Sequence, residues 1–210
     1  MSEAPVSRET LELAAERPVS RETFERIQIF ADRLKRENEA QNLVSASTIG
    51  QLWERHVLDS AQLLRFEPTA GASWVDIGSG AGLPGIVIAC LADGPVTLIE
   101  PRRLRAEFLA QTVNALGLDA EVEQSKAERV TGRFDVITGR AVASLDRFLG
   151  ISHHLSHPGT IWVLPKGRSA KSELAEAQRN WQCEACLVAS ITDPESTILV
   201  LSGVQGRRKR

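Results

Sequence analysis

The sequence has few cysteines, no long apolar run and no excess of charge of either sign. Three cysteines in 210 residues cannot build a disulfide framework, and an odd number in a chain without a leader fits a reducing cytoplasm. No apolar run approaches the ~20 residues that a membrane span needs. The start Met1-Ser2-Glu3-Ala4-Pro5 has neither the basic opening nor the apolar stretch of a secretory signal. The expectation is a cytoplasmic protein with no membrane association. With 25 basic and 27 acidic residues the formal charge is −2. That argues against coating nucleic acid by bulk charge, though not against reading it through a local patch. Two clusters offer such a patch: the tail Arg207-Arg208-Lys209-Arg210, and Arg102, Arg103 and Arg105.

What is present suffices for a packed core. Apolar residues make up 42% and charged residues 25%, an ordinary globular balance. A chain of this length folds as one large domain, or a small one with an appendage, without a disulfide or metal staple.

Near the start, Pro5-Val-Ser-Arg-Glu-Thr10 recurs at Pro18-Val-Ser-Arg-Glu-Thr23. Two copies are too few for a solenoid, and they read as two helix starts capped by Ser7 and Ser20. Phe24, Ile27, Ala31 and Leu34 recur at one-face helical spacing. Asn38 to Ser47 is polar and reads as a loop. Thr48-Ile-Gly-Gln51 has the spacing of a capping box, opening a helix that runs to about Phe66. Pro68 and Gly71 close this helical region.

From Ser73 the period changes. Strands are expected at 73–78, 96–100, 120–123, 134–138, 160–164, 187–191 and 196–201. Helices are expected at 86–91, 103–116, 144–155 and 170–181. Alternation of this kind implies a doubly wound, mostly parallel sheet. Two consecutive strands at the end imply a closing antiparallel hairpin, which suits a methyltransferase-type sheet better than a dinucleotide-type one. The expected fold is therefore α/β: a seven-stranded Rossmann-like sheet with an N-terminal helical extension. The expected division is residues 1–70 helical, 71–206 the sheet core and 207–210 a basic tail.

The richest motif is Val75-Asp-Ile-Gly-Ser-Gly-Ala-Gly-Leu-Pro-Gly85. Glycines at the end of a first strand let backbone approach a ligand beside a helix N-terminus. Gly80-Ala-Gly82-Leu-Pro-Gly85 matches the dinucleotide fingerprint, but two residues late. Asp76 is expected to face the ligand crevice, where a carboxylate is unwelcome to a pyrophosphate and suited to the cationic S-adenosylmethionine. A structural turn with no ligand is the third reading. Glu100 ends the second strand about 20 residues on, where an acid takes both hydroxyls of a ribose; either cofactor has one.

Arg55-His56-x-x-Asp59-Ser60 places polar side chains on the face of Leu52 and Leu63. They read either as a hydrogen-bonded strut between the helical region and the sheet, or as the lining of a substrate mouth. Arg140 and Lys166 follow the fourth and fifth strands at the ligand-binding edge, as isolated cations that could meet a phosphate or carboxylate. Cys183-x-x-Cys186 with distant histidines is a weak zinc signal, and no metal site is expected. Trp162 and Trp181 read as core.

These motifs resemble the bacterial glucose-inhibited division protein B family, the small-subunit rRNA methyltransferase G enzymes. The resemblance spans about residues 24–202. It rests on Asn42-Leu-Val-Ser45, Arg55-His-x-x-Asp-Ser60, Asp76-Ile-Gly-Ser-Gly-Ala-Gly-Leu-Pro-Gly-Ile86, Gly139-Arg-Ala-Val-Ala-Ser-Leu145 and Lys166-Gly167. It implies an S-adenosylmethionine-dependent enzyme that methylates N7 of guanine 527 in 16S rRNA, as free rRNA, an assembly intermediate or the small subunit. It implies cofactor contacts at Gly78, Leu83, Ala127, Glu128 and Arg140, to which the physical argument adds Asp76, Gly80 and Glu100. The RNA side is assigned to Asn42, His56, Arg140 and Lys166. Where many members have a lysine, this chain has Leu104, and Arg105 is its expected replacement. Guanine N7 has an in-plane lone pair, so no general base is required and no catalytic residue is assigned. A monomer is expected. Two rivals remain at this point, a small-molecule methyltransferase on the same fold and a nicotinamide-dependent oxidoreductase, and a non-catalytic RNA-binding module is a third reading that cofactor binding would count against.

Overall fold

The computed structural model describes residues 6–45 and 47–207. The expected basic tail thus lies, but for Arg207, outside the described residues. Ser7 Oγ accepts from the Thr10 N–H and Ser20 Oγ from the Thr23 N–H, which starts α1 (Arg8–Ala15) and α2 (Arg21–Gln41). Helix α2 runs through four residues expected to be loop. Gln41 Nε2 donates to Glu37 Oε1 at 2.6 Å one turn back, and Asn42 ends the helix in the left-handed region at φ 49°, a conformation asparagine tolerates.

The capping box expected at Thr48 does not form. Thr48 sits at φ −114°, ψ −13° with no capping bond, and its hydroxyl pairs instead with that of Ser45 at 2.7 Å. The helical run to Phe66 is present but irregular. It passes from a 3-10 turn (Ile49–Gln51) through π turns (Trp53–Leu58) and a short α3 (Asp59–Ala61) to a 3-10 end (Gln62–Phe66). Ser60 Oγ bonds back to the His56 carbonyl at 2.6 Å within the widened turns. Local side-chain bonding of this kind competes with the regular ladder, and π turns concentrate at functional sites.

Seven strands follow: β1 (Trp74–Ile77), β2 (Val96–Ile99), β3 (Ala120–Glu123), β4 (Phe134–Thr138), β5 (Ser156–Lys166), β6 (Trp181–Ala189) and β7 (Thr197–Gly206). Their order is β3-β2-β1-β4-β5-β7-β6. The first five are parallel, and β7 runs antiparallel between β5 and β6. The connecting helices are α4 (Gly85–Leu91), α5 (Arg103–Leu116), α6 (Leu145–Ser152) and α7 (Ala170–Ala177). Helix α7 is shorter than expected. Trp181 belongs to β6, where its Nε1 donates to Asp146 Oδ1 at 3.0 Å.

Strand alternation divides the core. Trp74, Val96, Leu98 and Val136 pack with α1, α2, α4 and α5, while Val75, Ile77, Ile137 and Trp162 pack with α6. Leu11, Ile27, Phe30 and Leu34 of the N-terminal helices are fully buried in the first of these clusters. Each such side chain contributes about 1.5–3 kcal/mol of burial, so the helical region and the sheet share one core.

A nearly buried ion pair fastens that junction. Arg17 donates to Glu67 Oε2 at 2.7 Å, to Leu64 O at 3.2 Å and to Leu91 O at 3.2 Å. Glu67 also accepts from Trp74 Nε1 at 3.2 Å, and its side chain is 5% exposed. Arg17→Ala leaves that carboxylate without its partner and should lower unfolding free energy by about 3 kcal/mol, read by urea denaturation. A loss under about 1 kcal/mol would mean that the pair acts as a surface pair.

Candidate functional site

The carboxyl edge of β1, β2 and β4 opens into a cleft of about 890 Å³, within the ~300–1,000 Å³ of small-molecule sites. Its floor is the glycine turn after β1. Gly78, Gly80 and Gly82 have φ of 73°, 52° and 85°, a region in which an L side chain is strained. A Cβ on Gly78 would lie 2.9 Å from Val142 Cγ2, and one on Gly82 2.7 Å from Ile86 Cγ1. Gly78 and Gly80 therefore present bare backbone to the cleft, kept so by torsion at both and also by Val142 at Gly78.

Two buried carboxylates tie the turn down. Glu100, 4% exposed, accepts from the Gly80 N–H at 3.0 Å and the Arg102 N–H at 2.8 Å. It lines the cleft together with Gly78, Gly80, Leu83, Ala127 and Glu128. Asp76 is placed differently from the expectation. Strand alternation puts it on the face of Trp74, under α4, where it is 1% exposed and absent from the cleft lining. Its Oδ2 accepts from the Gly85 N–H at 3.0 Å, while Oδ1 has no partner among the described residues. Asp76 thus supports the turn from below rather than facing a ligand. Arg105 lines the cleft, with its Nη1 3.5 Å from where a Gly80 Cβ would stand. Leu104 is 53% exposed and is not in the lining.

The other half of the cleft is walled by the irregular segment 49–66, the loop after β4 and the β6–β7 loop. Asp59 joins all three. Its Oδ2 accepts from Arg140 Nη1 at 3.3 Å, and its Oδ1 from Gln62 Nε2 and Thr192 Oγ1, each at 2.9 Å. Buried Gln62 further bonds Ser190 Oγ and the Ile191 N–H, and Arg55 pairs with Asp193. The strut reading thus describes Asp59, and Ser60 turns back to its own helix. His56 is different: it lines the cleft, and neither ring nitrogen has a partner among the described residues. Burial, then the charges of Arg140 and Arg55, push its pKa down to about 4, so the imidazole is neutral at pH 7.

Arg140 and Lys166 do share an edge, as expected. Both line a second hollow of about 290 Å³ that meets the cleft at Asp59 and Arg140. They are not isolated cations, however. Arg140 is paired with Asp59, and Lys166 Nζ donates to Glu173 Oε2 at 2.8 Å and to Ala143 O at 3.4 Å. Lys166 therefore also braces the loop after β4, where Ala141 sits at φ 56°. Asn42 is an exposed helix cap outside the cleft lining, and its neighbours Leu43, Val44 and Ser45 form the wall. Sequence reasoning missed the roles of Gln62, Thr192 and Asp193. Gln62 lies one turn from Asp59, but Thr192 and Asp193 are separated from it by the whole sheet in sequence, and only the β6–β7 hairpin brings them back.

Chemically, the first half suits a nucleoside: a carboxylate for vicinal hydroxyls, apolar Ile77, Leu83 and Ile99, and exposed backbone. The Glu100 carboxylate at the glycine turn opposes a pyrophosphate there and favours a cationic ligand. Among the described residues no three His, Cys, Asp or Glu side chains gather as a metal would require. Burial of Asp76 also has a measurable consequence. Its pKa rises from 3.8 to about 7, so the unfolded chain gives up this proton first and stability falls as pH rises from about 4 to about 7. Asp76→Asn keeps an acceptor for Gly85 and should flatten that decline in urea melts at pH 5 and pH 7.5. An unchanged difference between the two pH values would mean that Asp76 is ionised in the fold at both.

Known proteins share this architecture. A SAM-dependent methyltransferase from Aquifex aeolicus superposes with a TM-score of 0.57 at 16% identity, over 81% of this chain and 96% of that one. Ribosomal protein L11 methylase from Lactobacillus delbrueckii superposes at 0.59 with 13% identity, over 71% and 78%. At such identities the likeness is one of fold. The sequence relatives are nearer. Ribosomal RNA small subunit methyltransferase G of Sphingopyxis alaskensis is 46% identical over 187 residues, 88% of this chain and 80% of that protein. The Zymomonas mobilis protein of the same name is 40% identical over 195 residues, 89% and 88%. Residues 23–198, from α2 into β7, match the family described as rRNA small subunit methyltransferase G, and with relatives this similar over most of its length the chain belongs to that family.

Proposed function

We propose that the protein transfers a methyl group from S-adenosylmethionine to N7 of guanine 527 in 16S rRNA, by direct in-line attack of the base without a general base. Family membership makes it an S-adenosylmethionine-dependent rRNA methyltransferase. The observation that carries the finer reading is the continuity of a single cleft from Glu100 and the glycine turn to His56, Asp59 and Arg140. One opening is wide enough for a nucleoside cofactor and for a base brought to it.

The turn fits the cofactor. Gly78, Gly80, Leu83, Ala127 and Glu128 would line it, Glu100 would accept from its ribose, and Arg140 stands where the two halves meet. Asp76 is a positioning residue that acts through Gly85. When bound, S-adenosylmethionine supplies an electrophilic methyl group on a sulfonium. Guanine N7 keeps its in-plane lone pair near neutral pH, so the chain removes no proton and its task is placement of the reacting atoms. The methylated base is a cation. A neutral His56 adds no repulsion to it, and Asp59 puts a carboxylate on the same wall. Lys166 would meet RNA from the adjoining hollow while holding the loop that carries Arg140. Asn42 would act by shaping the wall at Leu43–Ser45.

We also propose that the protein works as a cytoplasmic monomer on 16S rRNA, whether free, in an assembly intermediate or in the small subunit. Free Cys90, Cys183 and Cys186 fit a reducing compartment, and no described helix is long and apolar enough to cross a membrane. The test is to map N7-methylguanine in 16S rRNA from cells that lack, then regain, the gene. Methylation at position 527 should vanish and return. An unchanged map would overturn the assignment to N7 of guanine 527.

Three variants examine the machinery. Gly78→Val, which adds a branch where only 2.9 Å separates an added Cβ from Val142, should abolish S-adenosylhomocysteine binding in calorimetry without unfolding the chain. Glu100→Ala should weaken that binding by about 10- to 150-fold, the loss of a charged hydrogen bond worth ~1.5–3 kcal/mol. Lys166→Ala should retain cofactor affinity but lower turnover at saturating RNA, because displacement of the reacting atoms is costly in rate. Normal turnover would confine Lys166 to bracing.

A further inference from the structure

The cleft is more cationic than the chain that carries it. Six cationic side chains and four carboxylates line it, in a protein of net charge −2. Three of those carboxylates are already engaged. Asp59 holds Arg140, Asp193 holds Arg55, and Glu100 accepts from the Gly80 and Arg102 N–H groups at the cleft floor. Only Glu128 is left to oppose Arg102, Arg105, Lys126 and Arg147. Among the described residues none of these four cations has a carboxylate within 4.0 Å.

Their placement is ordered by the topology. Arg102 caps α5 after β2, Lys126 caps the 3-10 turn Ala127–Arg129 after β3, and Arg147 lies in the first turn of α6 after β4. The sheet order β3-β2-β1-β4 sets these three loops around the mouth of the cleft on its cofactor side. All three side chains are exposed. Arg105 is half-buried and leans over the glycine turn, so it belongs to the floor rather than to the rim.

We propose that Arg102, Lys126 and Arg147 form a track for the phosphodiester backbone of the RNA strand flanking the target base, crossing the mouth above the cofactor. The inference rests on the rRNA reading given above and adds where the strand runs. S-adenosylmethionine has no phosphate to engage these cations, whereas an RNA strand brings one per nucleotide. Phosphate contacts of this kind set position without reading sequence. They also explain how a protein of net charge −2 binds a polyanion: three of the four carboxylates in the cleft are engaged internally, and three cations unpaired among the described residues lie exposed at its mouth.

The test uses the full chain with Arg102→Ala, Lys126→Ala and Arg147→Ala combined. A charge-matched control carries Arg8→Ala, Arg36→Ala and Lys171→Ala, exposed positions outside the cleft lining. Calorimetry with S-adenosylhomocysteine should give wild-type affinity for both, which shows that the site is folded. With small-subunit rRNA as substrate, the rim variant should raise KM at least about tenfold near physiological salt. It should reduce the slope of log affinity against log salt by about 2, at ~0.7 per single-strand phosphate contact. Turnover at saturating RNA should stay within about twofold, because these contacts lie outside the reacting centre. The control should bind RNA as the wild type does. Equal losses in rim variant and control would reduce the effect to bulk charge, and a wild-type KM and salt slope in the rim variant would remove the strand from this face. Either result overturns the track. A wild-type enzyme that leaves 16S rRNA unmethylated both free and within the small subunit would instead fail the proposed function itself.

Discussion

The site depends on the attachment of the glycine turn by two buried carboxylates. Gly78, Gly80 and Gly82 adopt torsions that other residues avoid, and glycine loses more conformational freedom on folding than any other residue, so the segment needs to be tied down to keep one shape. Glu100 fixes it from the side through the Gly80 N–H, and Asp76 fixes the helix start from below through the Gly85 N–H. Burying a carboxylate carries a penalty that backbone hydrogen bonds only partly offset, which is why the Asp76 pKa is pushed up to about 7. The return is a rigid, bare backbone surface at the end of β1.

The second half of the cleft is assembled by the same means, with charge satisfied inside the protein. Asp59 connects the widened helical turns, the loop after β4 and the β6–β7 loop, so elements remote in sequence form one wall. That arrangement also disposes of most carboxylates near the mouth. Bulk charge is therefore a poor guide to how this molecule meets RNA; what matters is which cations are left without partners.

Much of this was legible in the chain. Ser7 and Ser20 announce their helices because a capping hydroxyl acts within three residues. Helix α5 has its expected bounds, with Gly117 at φ 58° closing it, and strands β3 and β4 match their expected ranges. The misreadings have different causes: a local competitor for the same hydroxyl, partners remote in sequence, and the parity of a strand. The Thr48 hydroxyl pairs with Ser45 rather than capping, and the irregular segment 49–66 answers to contacts across the sheet. Asp76 lies in an expected strand, shorter by one residue at each end, yet its side chain follows the parity of the strand and points under α4. Arg140 and Lys166 sit at the expected edge, but their acidic partners lie 81 and 7 residues away, and spacing alone does not reveal which carboxylate a cation meets.

The central claim is that a single cleft holds the nucleoside cofactor over Glu100 and receives the target base beside His56, Asp59 and Arg140. A crystal structure of the protein with S-adenosylhomocysteine and a short RNA bearing the target guanine tests it most directly. The account predicts the ribose hydroxyls on Glu100, the thioether sulfur at the junction of the two halves, and guanine with N7 turned toward that sulfur against the wall formed by His56 and Arg140. A cofactor seated away from the glycine turn, or a guanine bound on another face with its N7 remote from the sulfur, would contradict it.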